Sequence, residues 1–233
     1  MKKLIMIISL MMAFSMMAVS AVMASTITLT QNSYSYSNGG EFTATPSVDL
    51  AWLLNNYNAK AKIGGGFETF CVEYTEHFNP GGTYNASISD RAMNGGVVPA
   101  GTGDPVSIGT AYLYSQFAQG ILSGYFSGDR KTNAGQLQLA IWWLEDEYTL
   151  STAEQTSNLY LQMVNSMFAN AKADANGAYG VGVLNLTTVD ANGEVVELNQ
   201  DQLTYDTVPE PATMLLFGLG LLGLAGIRRK FKG

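Results

Sequence analysis

The chain has 233 residues, of which 12 are basic, 19 acidic, one histidine and one cysteine. A formal net charge of −7 argues against nucleic acid as a partner, and a solitary cysteine excludes a disulfide within the chain. Apolar segments at both ends leave about 180 residues between them, a length that suits one domain.

Residues 1–24 carry the three parts of a cleavable secretory signal. Lys2 and Lys3 open it, an apolar stretch follows over 4–19, and small residues close it. Val22, Met23 and Ala24 form the expected cleavage site, with Val19, Ser20 and Ala21 as the alternative. The exported part, 25–207, keeps six basic residues (Lys60, Lys62, Arg91, Arg130, Lys131 and Lys172) against 18 acids, a net charge of −12. So acidic a surface also argues against anionic lipid.

Alternation over 26–45, broken at Ser37, Asn38, Gly39 and Gly40, predicts two strands. A short helix is expected over 50–57. Gly64, Gly65 and Gly66 then reset the chain before a β-branched and aromatic run over 67–78 that reads as a strand. The span 79–105, rich in Gly, Pro and Asn, predicts a long loop, with a hairpin through 83–88 at most.

Helical spacing follows over 106–122 and again over 134–147, the second capped by Thr132 or Asn133. Ser151 with Glu154 makes a capping box for a third helix running to about residue 173. A hairpin over 181–189 and 193–198 closes the domain, its loop at Asp190, Ala191, Asn192 and Gly193. Strands at both ends of a helical middle define an α+β domain.

The lone Cys71 lies in the run Phe67-Glu68-Thr69-Phe70-Cys71-Val72-Glu73-Tyr74, and a second run reads Leu137-Gln138-Leu139-Ala140-Ile141-Trp142. Together, over about 65–150, they resemble the thioester (TQXA) domains of bacterial surface adhesins. In that group an aromatic-Cys strand motif and a Gln-x-Ala-Ile-Trp-type helix motif supply an internal Cys–Gln thioester. The Thr of the motif is Leu137 here.

The resemblance implies a Cys71–Gln138 cross-link, an apolar shell of Phe70, Ile141 and Trp142, and no cofactor, metal or catalytic residue. The partner would be a surface or matrix nucleophile, either a protein amine or a polysaccharide hydroxyl. The chemistry suits these residue types. A thiolate can attack a carboxamide, proximity supplies the rate, and apolar neighbours exclude water.

Two other readings stay open. Cys71 could be an inert buried thiol in a non-covalent matrix or polysaccharide-associated protein. A Cys–His hydrolase needs His77, but on an extended strand that residue lies about 20 Å from Cys71, whereas Glu73 lies at about 7 Å. Both His77 and Glu73 read as solvent-facing, as do the acids Glu145, Asp146 and Glu147 at a helix end.

At the C-terminus, Pro209, Glu210 and Pro211 precede an apolar run over 212–227, and Arg228, Arg229 and Lys230 begin a basic tail. A helix through the run would be about 24 Å long, nearly a hydrocarbon core, with its basic end cytoplasmic. This order over 208–233 resembles the PEP-CTERM sorting signal of Gram-negative bacteria. It implies an exosortase as partner, a membrane held through the C-terminal helix before processing, and a final place at the cell surface or in the matrix.

Overall fold

A computed structural model describes residues 25–36, 39–93 and 102–206. The expected signal peptide, sorting helix and basic tail lie outside these described residues.

The domain is built on a seven-stranded antiparallel sheet, ordered β3-β4-β2-β1-β5-β8-β9. Its strands are β1 (Thr26–Tyr36), β2 (Gly39–Pro46), β3 (Lys62–Ile63), β4 (Gly66–Thr69), β5 (Thr83–Ser89), β8 (Val181–Val189) and β9 (Val195–Tyr205). A two-stranded ribbon, β6 (Arg91–Ala92) with β7 (Asp104–Pro105), lies beside it. The sheet curls on itself. Phe70 O accepts from Leu203 N at 3.0 Å, Val72 N donates to Asp201 O at 3.0 Å, and Cys71 bridges Gln202, so β9 closes against the segment that follows β4.

Among the described residues four α-helices stand between the two halves of the sheet in sequence: α1 (Ile108–Ala118), α2 (Arg130–Leu144), α3 (Thr152–Ser157) and α4 (Leu159–Met167). One apolar core joins sheet and helices through Ile27, Leu29, Phe67, Leu113, Phe117, Leu137 and Leu186. A ring cluster fills its centre. Phe70 meets Phe117 edge-on at 5.1 Å, and Tyr57 stacks on Phe67 at 4.5 Å.

The coarse α+β reading stands, and several boundaries move. The strand expected over 67–78 ends at Thr69, because Cys71 turns to pair with β9 and leaves 73–78 irregular. The expected loop 79–105 holds β5, which pairs with β1 and β8 and not within itself. Helix α1 is capped by Ser107, which accepts from Thr110 N. Helix α2 is capped by Asp129, one turn before the expected start. The Ser151–Glu154 capping box is present, but the helix it starts ends at Asn158. Asn158 then caps α4 with its own side chain, because its carbonyl oxygen takes the amides of Tyr160 and Leu161. The final hairpin is longer than predicted. Strand β9 runs on through Asn199, Gln200, Asp201 and Gln202, all buried.

Candidate functional site

Cys71 sits where β4 has ended and the chain crosses to β9, fully buried. Gln138 lies in the middle of α2, which packs across β1 and β2. The two meet through a two-point contact. Cys71 N donates to Gln138 Oε1 at 3.1 Å, and Gln138 Nε2 donates to Cys71 O at 2.8 Å. The carboxamide is thereby docked on the peptide group of the one cysteine, and both residues are shut off from solvent. The thiol itself accepts from Gln202 Nε2 at 3.5 Å. Burial pushes the thiol up to about 12, which Gln202 opposes and the nearby Glu73 reinforces.

The apolar surroundings differ in part from those expected. Trp142 does pack on Cys71, together with Phe42, Phe78 and Leu139. Phe70 and Ile141 are buried, but they belong to the main core. Phe42 and Phe78 were not legible as neighbours of Cys71, because the tertiary pairing of β2 with β4 brings Phe42 there and Phe78 packs edge-on against Phe42 at 4.9 Å.

A cavity of about 170 Å³ opens onto Gln138, lined by Tyr36, Tyr74, Leu139, Trp142 and Tyr148. Two glycines make room for it. A Cβ on Gly39 would lie 2.6 Å from both Gln138 Cγ and Trp142 Cη2, and one on Gly135 would lie 2.5 Å from the Tyr36 ring. Tyr74 packs edge-on against Trp142 at 4.9 Å and against Tyr148 at 4.9 Å.

Of the acidic residues read as solvated, Glu73 and Glu145 are buried, Glu147 is half-buried and Asp146 is exposed as expected. Glu73 is 1 % exposed, one of its oxygens accepting from Asp201 N at 3.2 Å. Burial, with Asp201 and Glu76 nearby, raises it far above the carboxylate range. Glu145 is also buried. It ends α2, where its charge opposes the helix dipole, yet it accepts from Ser107 N at 3.2 Å and Ser107 Oγ at 2.7 Å at the start of α1. Burial lifts it to about 7. Glu68, inside the sheet, is raised by burial and by Glu41 beside it, with Thr43 Oγ1 donating to it at 2.7 Å. Glu147 accepts from Tyr74 N at 3.2 Å, and Asp146 pairs with Lys172. His77 is exposed, and its carbonyl accepts from Gln200 N at 3.3 Å. Among the described residues no three His, Cys, Asp or Glu side chains are grouped to hold a metal ion.

These raised carboxyls set a pH dependence. Above the ordinary carboxylate range, the folded state keeps protons on Glu68, Glu73 and Glu145 that the unfolded chain has released. Stability therefore falls as pH rises, by up to about 1.4 kcal/mol per pH unit for each group. The Glu145 contribution to this slope runs out near pH 7. The melting temperature is expected to be higher at pH 5 than at pH 7. A flat or rising profile over that interval would contradict the buried, protonated state of these groups.

The fold and site thus define an α+β domain with a buried cysteine whose peptide group is docked on a buried glutamine. Residues 207–230 match the PEP-CTERM protein-sorting motif. That match supports exosortase-dependent sorting, which delivers a protein to the surface of a Gram-negative cell. No match is found among curated proteins or among solved structures.

Proposed function

We propose that this protein is a surface-displayed, single-use covalent adhesin in which Cys71 and Gln138 condense to a thioester. The observation that carries this reading is the docking of the Gln138 carboxamide on the Cys71 peptide group, at 3.1 and 2.8 Å. Such preorganisation replaces a bimolecular encounter, and well-oriented groups reach effective molarities of about 10⁵ M or more.

The step is an acyl transfer. Cys71 Sγ attacks Gln138 Cδ, a C–S bond forms, the C–N bond breaks, and the thiol proton leaves with the amine as ammonia. Negative charge develops on Gln138 Oε1 as the carbon becomes tetrahedral. The Cys71 backbone N–H already donates to that atom, as an oxyanion donor must. The high thiol pKa makes free thiolate scarce, so condensation is slow, and one turnover per molecule is all that is required. In the second step an amine or hydroxyl entering between Tyr36, Tyr74, Trp142 and Tyr148 attacks the thioester carbonyl. An amide or ester forms, the C–S bond breaks, and the proton returns to Cys71.

Intact mass of the purified protein tests this directly. The wild type is expected to weigh one ammonia less than its sequence, and to take up one methylamine when that amine is added. Cys71→Ala and Gln138→Ala should both have full mass and ignore methylamine. Gln202→Ala, which removes the donor to the thiol, should still lose ammonia, since Gln138 is the acyl donor. A wild type of full mass would sink the reading and leave Cys71 an inert core thiol in a non-covalent matrix protein.

A further inference from the structure

The domain's few cations are not spread evenly. Three of its six bases are ion-paired: Arg91 with Asp90, Arg130 with Glu41, and Lys172 with Asp146. The other three, Lys60, Lys62 and Lys131, are exposed and lie in one neighbourhood. Lys62 Nζ donates to Leu54 O at 3.3 Å, Lys60 Nζ donates to Gly120 O at 3.3 Å, and Arg130 Nη2 donates to Lys60 O at 2.9 Å, with Lys131 the next residue of α2. Apolar side chains stand out on the two segments that the lysines reach, beside Gly120 and in the 3-10 element of Leu54. Ile121 is 60 % exposed and Trp52 38 %. A cavity of about 580 Å³, lined by Lys60, Ile121, Phe126 and Arg130, opens on the same face. The acids nearby are Asp49, one 3-10 turn before Trp52, the buried Glu41 paired with Arg130, Asp129, whose carboxylate caps α2, and Asp206 at the end of the described chain.

Strand β9 delivers the chain to this neighbourhood. Asn56 Nδ2 donates to Tyr205 O at 3.3 Å, and Tyr205 N donates to Tyr57 Oη at 2.7 Å. Tyr57 and Asn56 end the 3-10 element Val48–Asn56, which also carries Trp52. The apolar run begins at Ala212, six residues beyond Asp206. Six residues span at most about 20 Å when fully extended. A bilayer holding that run must therefore lie within about 20 Å of this face. The acidic tip of the β8–β9 hairpin, with Asp190, Glu194 and Glu197, stands about 30 Å away along β9.

We propose that the face of Trp52, Lys60, Lys62, Ile121 and Lys131 docks on an anionic phospholipid leaflet while the sorting tail is still attached. The inference rests on the tail being membrane-embedded over 212–227. Lysines draw the face to lipid phosphates within a Debye length and keep their heads wet while their stems cover apolar surface. Trp52 and Ile121 enter the interfacial layer, where an indole ring is at home. The whole-domain charge of −12, which on its own argues against anionic lipid, does not describe this face. Docking would orient the domain so that the acidic hairpin points away from the bilayer.

The test is hydrogen exchange on the full chain incorporated in nanodiscs, in phosphatidylglycerol against phosphatidylcholine. Backbone amides of 48–62 and 119–131 are expected to exchange several-fold more slowly in the anionic discs, with no change at the 190–197 hairpin tip. The double substitution Lys60→Glu and Lys62→Glu should erase the difference while core strands β1 and β8 keep their protection. A disc-bound chain with equal exchange in both lipids would overturn the docking face alone. A chain that does not co-purify with either disc would overturn the tail reading, and the docking with it.

Discussion

Replacing Arg130 with methionine is expected to remove about 3–5 kcal/mol of stability at neutral pH. Arg130 Nε donates to Glu41 Oε2 at 3.0 Å, and its Nη2 reaches the other carboxylate oxygen. Glu41 is completely buried, with Tyr125 Oη donating to it at 2.6 Å and the protonated Glu68 beside it. Removing the guanidinium leaves that carboxylate with one neutral donor, in a medium that penalises an unpaired charge severely. Lys131→Met, one residue along and exposed, should change stability by no more than about 0.5 kcal/mol. Urea unfolding of the three proteins at neutral pH measures the difference. An Arg130→Met deficit as small as that of Lys131→Met would mean that the pair is solvated and carries little.

Gly39→Ala is expected to stop thioester formation in a chain that still folds. Its new methyl would lie 2.6 Å from both Gln138 Cγ and Trp142 Cη2, far inside contact distance. Neither neighbour can yield easily. Gln138 is fixed at both ends of its amide, and Trp142 is packed against Phe42 and Cys71. Overpacking of this kind costs about 1–3 kcal/mol, which strains a domain without unfolding it. An ångström of displacement at Gln138, by contrast, breaks the alignment on which condensation depends. Gly135→Ala supplies the contrast, since its methyl meets the Tyr36 ring, and that residue is exposed enough to swing aside. That variant should still lose ammonia but take up methylamine more slowly. Circular dichroism with intact mass separates the two. Full ammonia loss in Gly39→Ala would show that the docked amide is not what governs condensation.

The sequence carried the parts of the site that depend on local pattern. Gln138 falls on a helix whose apolar spacing is plain, and Cys71 closely follows a short β-favouring run, so both could be placed without coordinates. The partner strand could not. Asn199, Gln200, Asp201 and Gln202 have no apolar alternation and read as a polar stretch before the tail, yet all four are buried in β9. They are tolerated there because side chains and backbone satisfy one another across the closing seam. Gln200 Nε2 donates to Glu73 O at 2.9 Å, and Asp201 takes part in bonds from Leu186 N at 3.0 Å and Met93 N at 3.1 Å. A buried polar strand is visible only through its partners, and those across the seam, Glu73 and Met93, lie over a hundred residues away. Glu73 and Glu145 were misread for the same reason, since a carboxylate in a polar sequence context looks solvated until the chain folds over it. Strand β5 was hidden by its small and polar residues, which are acceptable between β1 and β8.

The position of β9 has a mechanical consequence. It is the last strand before the sorting tail, and it pairs along its length with β8 and across its end with the segment that contains Cys71. A pull arriving from the tail side at Tyr205 acts along the strand axis. If a captured partner resists through Gln138 on α2, the chain from α2 enters β8 at Val181, which faces Tyr205 across the ladder, so the rungs open one after another from that end. Tension would then loosen β9 first, and with it the strand whose Gln202 donates to the thiol.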